Sequence, residues 1–471
     1  MNRKSLSGRR TFFKKLALSG LVFSGIQGLS CARDNEQETK KTRHWDVIVV
    51  GGGPGGVPAA VAAARNGARV LLVEGYGFLG GMATSALVLP YMKYSAGNTI
   101  IVRGIFEEFL DMLEKNGGTR KMKIPEEKLI WLNTFSTDLE DRAHFDDEIM
   151  KYVLDRFVLD SGSDILFHTQ AIGVLMKDST IKAVRVFHKG GVEDLSADIF
   201  IDSTGDGDIA AWAGAKIEIG REEDNACQPM TTSFRMANVD VERMPSGKEV
   251  NKLYDKARAD GEIKNPRENI LKFYTIHPDV MHFNTTRVIG KTSLDGWSMT
   301  EAEIEGRRQV AEMVRFLNKY VSGFENAYLM KTGAQIGVRE SRRVIGKYIL
   351  TADDVIQGRK FEDGVACGSY AIDIHNPAGT GTKMIYLDEG VYYHIPYRCL
   401  IPAGTDNLIV SSRCISATHE AHSSQRVMPT IWGIGQASGT AAALCVKRKI
   451  IPEAVDTSVL IKTLEDQGVY L

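Results

Sequence analysis

Nowhere in this sequence do two cysteines form a Cys-x-x-Cys pair, so neither a redox dithiol nor a zinc knuckle is indicated. The six cysteines are Cys31, Cys227, Cys367, Cys399, Cys414 and Cys445. Without Cys31 the rest make an odd number, which supplies no disulfide framework. Bulk charge is missing too. Against 59 acidic residues stand 58 basic ones, a formal charge of −1, so no overall field recruits nucleic acid or an anionic membrane. Beyond the N-terminal segment no apolar run reaches the ~20 residues of a bilayer span. No nucleic-acid partner, metal site or transmembrane span is therefore expected.

What remains is ample for a globular protein. At 471 residues, 43% of them hydrophobic, the chain should form two or three domains. Its 46 glycines suit a backbone that lies close to a large ligand, although turns alone would also use them. Ser7-Gly8-Arg9-Arg10-Thr11-Phe12-Phe13-Lys14 resembles a twin-arginine export signal. The diluted apolar run that follows, residues 16–29, is too short to span a membrane. Leu29-Ser30-Cys31 is a loose lipobox, with Gly28 where a larger apolar residue is usual. Residues 1–31 thus read as an export signal and 32–43 as a charged tether. The expected location is the periplasm or cell envelope, with a lipid anchor on Cys31 left open. The plainer alternative is a merely basic N-terminus.

Asp46-Val47-Ile48-Val49-Val50 is a continuous apolar run, as in a strand buried on both faces. It leads directly into Gly51-Gly52-Gly53-Pro54-Gly55-Gly56, where Gly51, Gly53 and Gly56 satisfy G-x-G-x-x-G. An alanine-rich helix ends at Asn66-Gly67, and a second strand, 68–73, ends at Glu74. Gly51 permits the tight turn, Gly53 lets backbone approach a pyrophosphate, and Gly56 allows helix and strand to pack closely. The helix N-terminus offers free N–H groups to phosphates. Glu74, about twenty residues on, can accept both ribose hydroxyls. Alone, the glycine motif is weak. In register with strand, helix, strand and terminal acid it specifies dinucleotide binding, without choosing between FAD and NAD.

Three later blocks make that choice. They are Gly80-Gly81-Met82-Ala83-Thr84, then Ser203-Thr204-Gly205-Asp206-Gly207-Asp208 after a strand at 197–202, then Ser411-Ser412-Arg413 with Arg426-Val427-Met428-Pro429. A helix of small residues follows, including Gly433, Gly435 and Gly439. With these blocks the sequence resembles the FAD-dependent oxidoreductase family related to the glutathione-reductase-type flavoproteins, over roughly residues 44–447. The resemblance implies non-covalent FAD. It lays Gly80, Gly81, Met82 and Thr84 along the pyrophosphate and flavin, and closes Ser203, Thr204, Gly205 and Asp206 over the adenosine. A strand meander at 164–168, 171–177 and 181–188 would bring the backbone near Ile172 to the adenine. Arg413, Val427 and Met428 would meet the cofactor, with free N–H groups at the Pro429 turn facing the flavin N1/O2 edge. Ser412 stands where the family has glycine. The helix of small residues is expected to lie against strand or cofactor.

The expected fold is α/β: a Rossmann-type FAD-binding domain (parallel sheet with inserted β-meander) from 44–218 and 400–471, and a mixed α+β substrate or cap domain at 219–399. Within the cap a helix reads from 300–320, with Thr300 and Glu303 as a capping box. Stretches around Asn284, Gln335, Asp373-Ile374-His375 and Arg398 also match the family. Arg339 and Arg398 are candidates to orient an anionic or carbonyl substrate, or else they pair with acids across the domain boundary. His419 and His422, just before the flavin-facing helix, are acid/base candidates with an ordinary titration range near neutrality, or else structural. The expected reaction is hydride transfer between FAD and a small organic substrate, with a membrane quinone, a carrier protein or a second small molecule as electron partner. Redox-neutral chemistry, and a tethered binding protein with a vestigial nucleotide fold, are the alternatives.

Overall fold

A computed structural model of the protein describes residues 44–121 and 140–471. The predicted export signal, tether and Cys31 lie outside the described residues.

The apolar run forms the strand His44–Val50, whose last four residues are buried on both faces. Parallel neighbours explain that burial. Val70–Val73 pairs on one side and the end of Gly191–Asp202 on the other, while Asp164–Leu166 and Leu408–Val410 extend the parallel layer. Gly191–Asp202 serves two layers at once. Its first half pairs antiparallel with Thr180–His188, which pairs with Gln170–Lys177, and its second half joins the parallel layer. The meander therefore grows out of a nucleotide strand. Asp164–Leu166, expected within the meander, instead belongs to the parallel sheet beside Val70–Val73.

The helix after the glycine loop, Gly56–Arg65, is covered by the long helix Met428–Arg448. A Cβ on Gly435 would lie 2.4 Å from the Gly55 carbonyl oxygen, and one on Gly439 only 2.1 Å from that of Ala59. The small residues of the terminal helix thus make a helix–helix seam, the close approach that only missing side chains permit. For Gly435 and Gly439 the neighbour is a helix, where strand or cofactor was expected. Gly433 alone of the three faces a strand, at Ala366 in Gly364–Gly368.

A second, smaller core runs from Phe234 to Ala327. It lies under a four-stranded antiparallel sheet ordered Lys272–Tyr274, Met281–Phe283, Phe234–Ala237, Tyr328–Thr332, and buries one stripe of Gly296–Tyr320 through Val310, Met313 and Leu317. That helix starts four residues earlier than the sequence suggests, because Asp295 caps it by accepting from the Ser298 N–H at 2.7 Å. Thr300 turns back to the Gly296 carbonyl, and Glu303 accepts from the Ile336 N–H at 2.6 Å, so the predicted capping box does not form. Residues beyond 342, grouped with the cap from sequence, send Val344, Leu350, Val365 and Ile395 into the larger core. Where cap sheet meets body, buried Asp147 accepts from Arg235 and Lys331, each at 2.6 Å.

Candidate functional site

Between the parallel sheet and the cap lies a cleft of about 1650 Å³, open mouth included. The glycine loop forms one end of it. Most of these glycines are demanded by the protein itself. A Cβ on Gly51, which has φ +101°, would stand 2.3 Å from the Ser203 carbonyl oxygen. On Gly55 it would meet that of Ser411 at 1.8 Å, and on Gly56 that of Gly51 at 1.7 Å. Gly53 is different. Its nearest neighbour would be the Gly81 Cα at 3.6 Å, an ordinary contact, and its φ is not left-handed. Nothing in the polypeptide requires a glycine there; the open space fits a ligand lying flat on the backbone.

Glu74 ends the second strand and lines the same cleft. Its two oxygens accept from the Gly52 N–H at 2.7 Å and the Tyr76 N–H at 2.8 Å, which fixes the carboxyl plane while leaving lone pairs free. Burial raises its pKa, against the pull of those N–H groups. Buried Asp202 organises the second block, accepting from the Thr204 hydroxyl at 2.7 Å, the Thr204 N–H at 3.1 Å and the Ala210 N–H at 2.9 Å. Thr204 thus spends both its hydroxyl and its N–H on Asp202 and holds the loop in place at the cleft. Asp206 accepts from Arg413 Nη2 and from the Ser341 hydroxyl, each at 2.5 Å. Ser203 Oγ and Arg413 Nε, in contrast, are buried without a partner among the described residues. Val427 caps the terminal helix in extended conformation and, with Met428 and Ile431, closes the cleft. Ser412 lines it too, its hydroxyl 2.9 Å from Cys414 Sγ.

The cleft lining includes Pro54, Gly81 and Met82 but not Gly80, Gly56 or Thr84. Thr84 is committed to its own loop, donating to the Leu79 carbonyl at 2.7 Å, and Ser85 faces the cleft instead. Ile172 is 44% exposed on the meander and outside that lining.

The reaction candidates divide more sharply. Arg339 lines the cleft, donating to the Pro229 carbonyl and the Thr231 hydroxyl at 2.6 Å and to Asn284 at 3.3 Å. Arg398 does not. It is half-exposed, forks onto Asp363 at 2.8 and 3.1 Å, and stacks over Tyr348. His419 and His422 are likewise behind the wall. His419 Nδ1 lies 2.8 Å from Glu340, which also accepts from Arg343. His422 is fully buried with neither ring nitrogen partnered among the described residues, and burial followed by Arg343 and Arg426 holds its pKa well below the usual range. Sequence proximity to the helix misled, because Thr418 starts a separate short helix, His419–Gln425, that turns both rings away.

Their place at the cleft is taken by Asp373 and His375. Both come from the strand Ile372–His375, where a spacing of two puts them on one face. That spacing was the available signal. Asp373 accepts from the Tyr370 hydroxyl at 3.2 Å and stands 3.5 Å from both His375 Nε2 and Arg426 Nη2.

Across residues 46–464 the sequence matches the family described as FAD dependent oxidoreductase. The chain belongs to that family. FAD is the cofactor of this oxidoreductase, and the glycine loop, Glu74 and the unspent donors at Ser203 and Arg413 fit it. Curated relatives include a digeranylgeranylglycerophospholipid reductase of Thermoplasma volcanium, 26% identical over 42% of this chain and 48% of that protein. Another, from Methanothrix thermoacetophila, is 27% identical over 36% of this chain and 41% of its own. The oxidoreductase therefore spans about half the length of the curated relatives it matches. Among solved structures, a geranylgeranyl bacteriochlorophyll reductase-like protein from Thermoplasma acidophilum aligns over 91% of this chain and 84% of its own, with 13% identity and a TM-score of 0.47. A myxobacterial chondrochloren halogenase aligns over 90% and 78%, with 12% identity and a TM-score of 0.46.

Proposed function

We propose that the enzyme transfers a hydride between non-covalently held FAD and a small organic substrate seated beside Arg339. The observation that carries this reading is the continuity of one cleft, which reaches from Gly53 and Glu74 to Arg339 and His375. Gly51, Gly53 and Gly81 would hold the pyrophosphate, Glu74 a ribose, and Ser203 to Asp206 with Arg413 the adenosine side. Val427 and Met428 would stand by the ring. When bound, FAD supplies the two-electron acceptor or donor, and the protein supplies orientation and electrostatics. Arg339, braced by Pro229, Thr231 and Asn284, presents a planar fork to an anionic or carbonyl group and so sets its angle as well as its distance.

The twin-arginine pattern at Arg9-Arg10 supports export, and with it a membrane quinone or a carrier protein as electron partner. Cell fractionation tests this: mature protein confined to the cytosol refutes it. The reaction itself is tested by anaerobic mixing of oxidised holoprotein with candidate metabolites. The expected result is stoichiometric loss of visible flavin absorbance. Turnover of a metabolite with no added acceptor and no bleaching overturns the reading.

A further inference from the structure

The wall of the cleft beside Arg339 carries more positive than negative charge. Arg339 and Arg426 line it, while Arg267 and Arg287, both almost fully buried, stand behind His375. The carboxylates serving this group are Asp373, 3.5 Å from Arg426, and Glu268, 3.1 Å from Arg287. Arg267 spends its donors on Asn269 at 3.2 Å and on His375. Neither Arg267 nor Arg339 has an ion pair among the described residues. Four guanidinium groups thus face two carboxylates.

His375 leaves that count unchanged. Its Nδ1 is approached by Arg267 Nη1 at 3.3 Å and Arg287 Nη2 at 3.2 Å. A guanidinium has only donors, so Nδ1 accepts and the ring proton sits on Nε2, toward Asp373. A second ring proton would point straight at two cations. Burial, opposed by Asp373 and reinforced by Arg339 and Arg267, accordingly takes the His375 pKa down to about 3. Burial also opposes ionisation of Asp373, but His375, Arg426 and Arg339 outweigh it and its pKa is lowered. Glu268 is held ionised in the same way by Arg267 and Arg287. Burial, then Asp373, keep the facing Tyr370 hydroxyl protonated. Two positive charges remain uncompensated, Arg267 almost fully buried and Arg339 at the cleft wall, an arrangement that is costly unless a ligand completes it.

We propose that the substrate of this cleft is a small dicarboxylate, one carboxylate in the fork of Arg339 and the other on the Arg426 side of the cleft. The proposal rests on the reading that the substrate occupies the cleft, but not on the direction of electron flow. It is tested on FAD-loaded protein, so that the charges of the cofactor are counted before the probe arrives. Malonate, succinate and glutarate are titrated against acetate, propionate, butyrate and inorganic phosphate, read by calorimetry and by perturbation of the flavin spectrum. The best dicarboxylate should bind at least about tenfold more tightly than its matched monocarboxylate. Arg339→Gln should shrink that preference to about twofold with flavin content unchanged, and Arg339→Lys, which keeps the charge, should retain part of it. Arg398→Gln, outside the cleft, should keep all of it. Equal binding of mono- and dicarboxylates overturns the proposal. So do tighter binding of phosphate, a preference that survives Arg339→Gln, or no response to any dicarboxylate. The redox reading fails separately: if dicarboxylates bind and no metabolite ever bleaches the flavin, the charge complement stands and hydride transfer falls.

Discussion

A single methyl group at Gly53 separates what the polypeptide needs from what the cofactor needs. In Gly53→Ala the new Cβ would meet only the Gly81 Cα, at 3.6 Å, and no left-handed φ opposes it. The FAD-free protein should therefore fold as before, or gain about 0.4–1 kcal/mol because the unfolded chain loses freedom. The cofactor has no such room. A methyl forced into a close-packed contact costs about 1–3 kcal/mol, so the Kd for FAD should rise roughly five- to hundredfold. Protein stripped of flavin is titrated with FAD by fluorescence quenching, and its stability is followed in parallel by urea denaturation. Gly56→Ala is the contrast, since its Cβ would sit 1.7 Å from the Gly51 carbonyl oxygen and must damage folding itself. An unchanged Kd in Gly53→Ala, or a destabilised FAD-free form, refutes the reasoning.

Three further outcomes are expected. Burial, outweighing the Ala210 N–H and the Thr204 hydroxyl, lifts the Asp202 carboxyl from 3.8 to about 6. The folded protein then holds this proton more tightly than the unfolded chain does, so the stability it adds is full below about pH 4 and lost as pH rises through about 6. The stability difference between wild type and Asp202→Asn in urea should shrink over that interval, and a constant difference contradicts the assignment. Asp147→Asn strands Arg235 in the core beside Lys331 and should cost about 3–5 kcal/mol by the same assay; a loss below about 1 kcal/mol would mean that water reaches the pair. Arg398→Ala removes a half-exposed pair with Asp363 and should cost less than about 1 kcal/mol with kcat/KM unchanged, whereas a large fall in kcat/KM would return Arg398 to the reaction.

The nucleotide half of the site was legible because each signal there is local and mechanical. The all-apolar strand, the glycine spacing and the terminal Glu74 lie within thirty-odd residues of one βαβ unit, and the structure assembles them as read. The reaction half was not, for the opposite reason. Arg339, the Asp373–His375 pair and Arg426 come from three separate segments, and no period in the sequence says which of many arginines will face inward. His419 and His422 show how proximity fails as a guide: one short helix intervenes and both rings turn to Glu340 or to the interior. The Asp-x-His alternation of Ile372–His375 was readable, but the same alternation serves any half-buried strand. Helix boundaries erred similarly, since Thr300 and Glu303 had competing partners in Gly296 and Ile336 that only tertiary structure supplies.

The glycine seam between Gly56–Arg65 and Met428–Arg448 joins the first helix of the described residues to a helix more than 360 positions further along the chain. During synthesis the opening βαβ unit leaves the ribosome with one flank of its helix uncovered, and it stays so until some 370 further residues have been added. The helix that covers the glycine loop is thus delivered late. A chain truncated anywhere before residue 428 would carry a complete fingerprint motif with that flank of its helix uncovered.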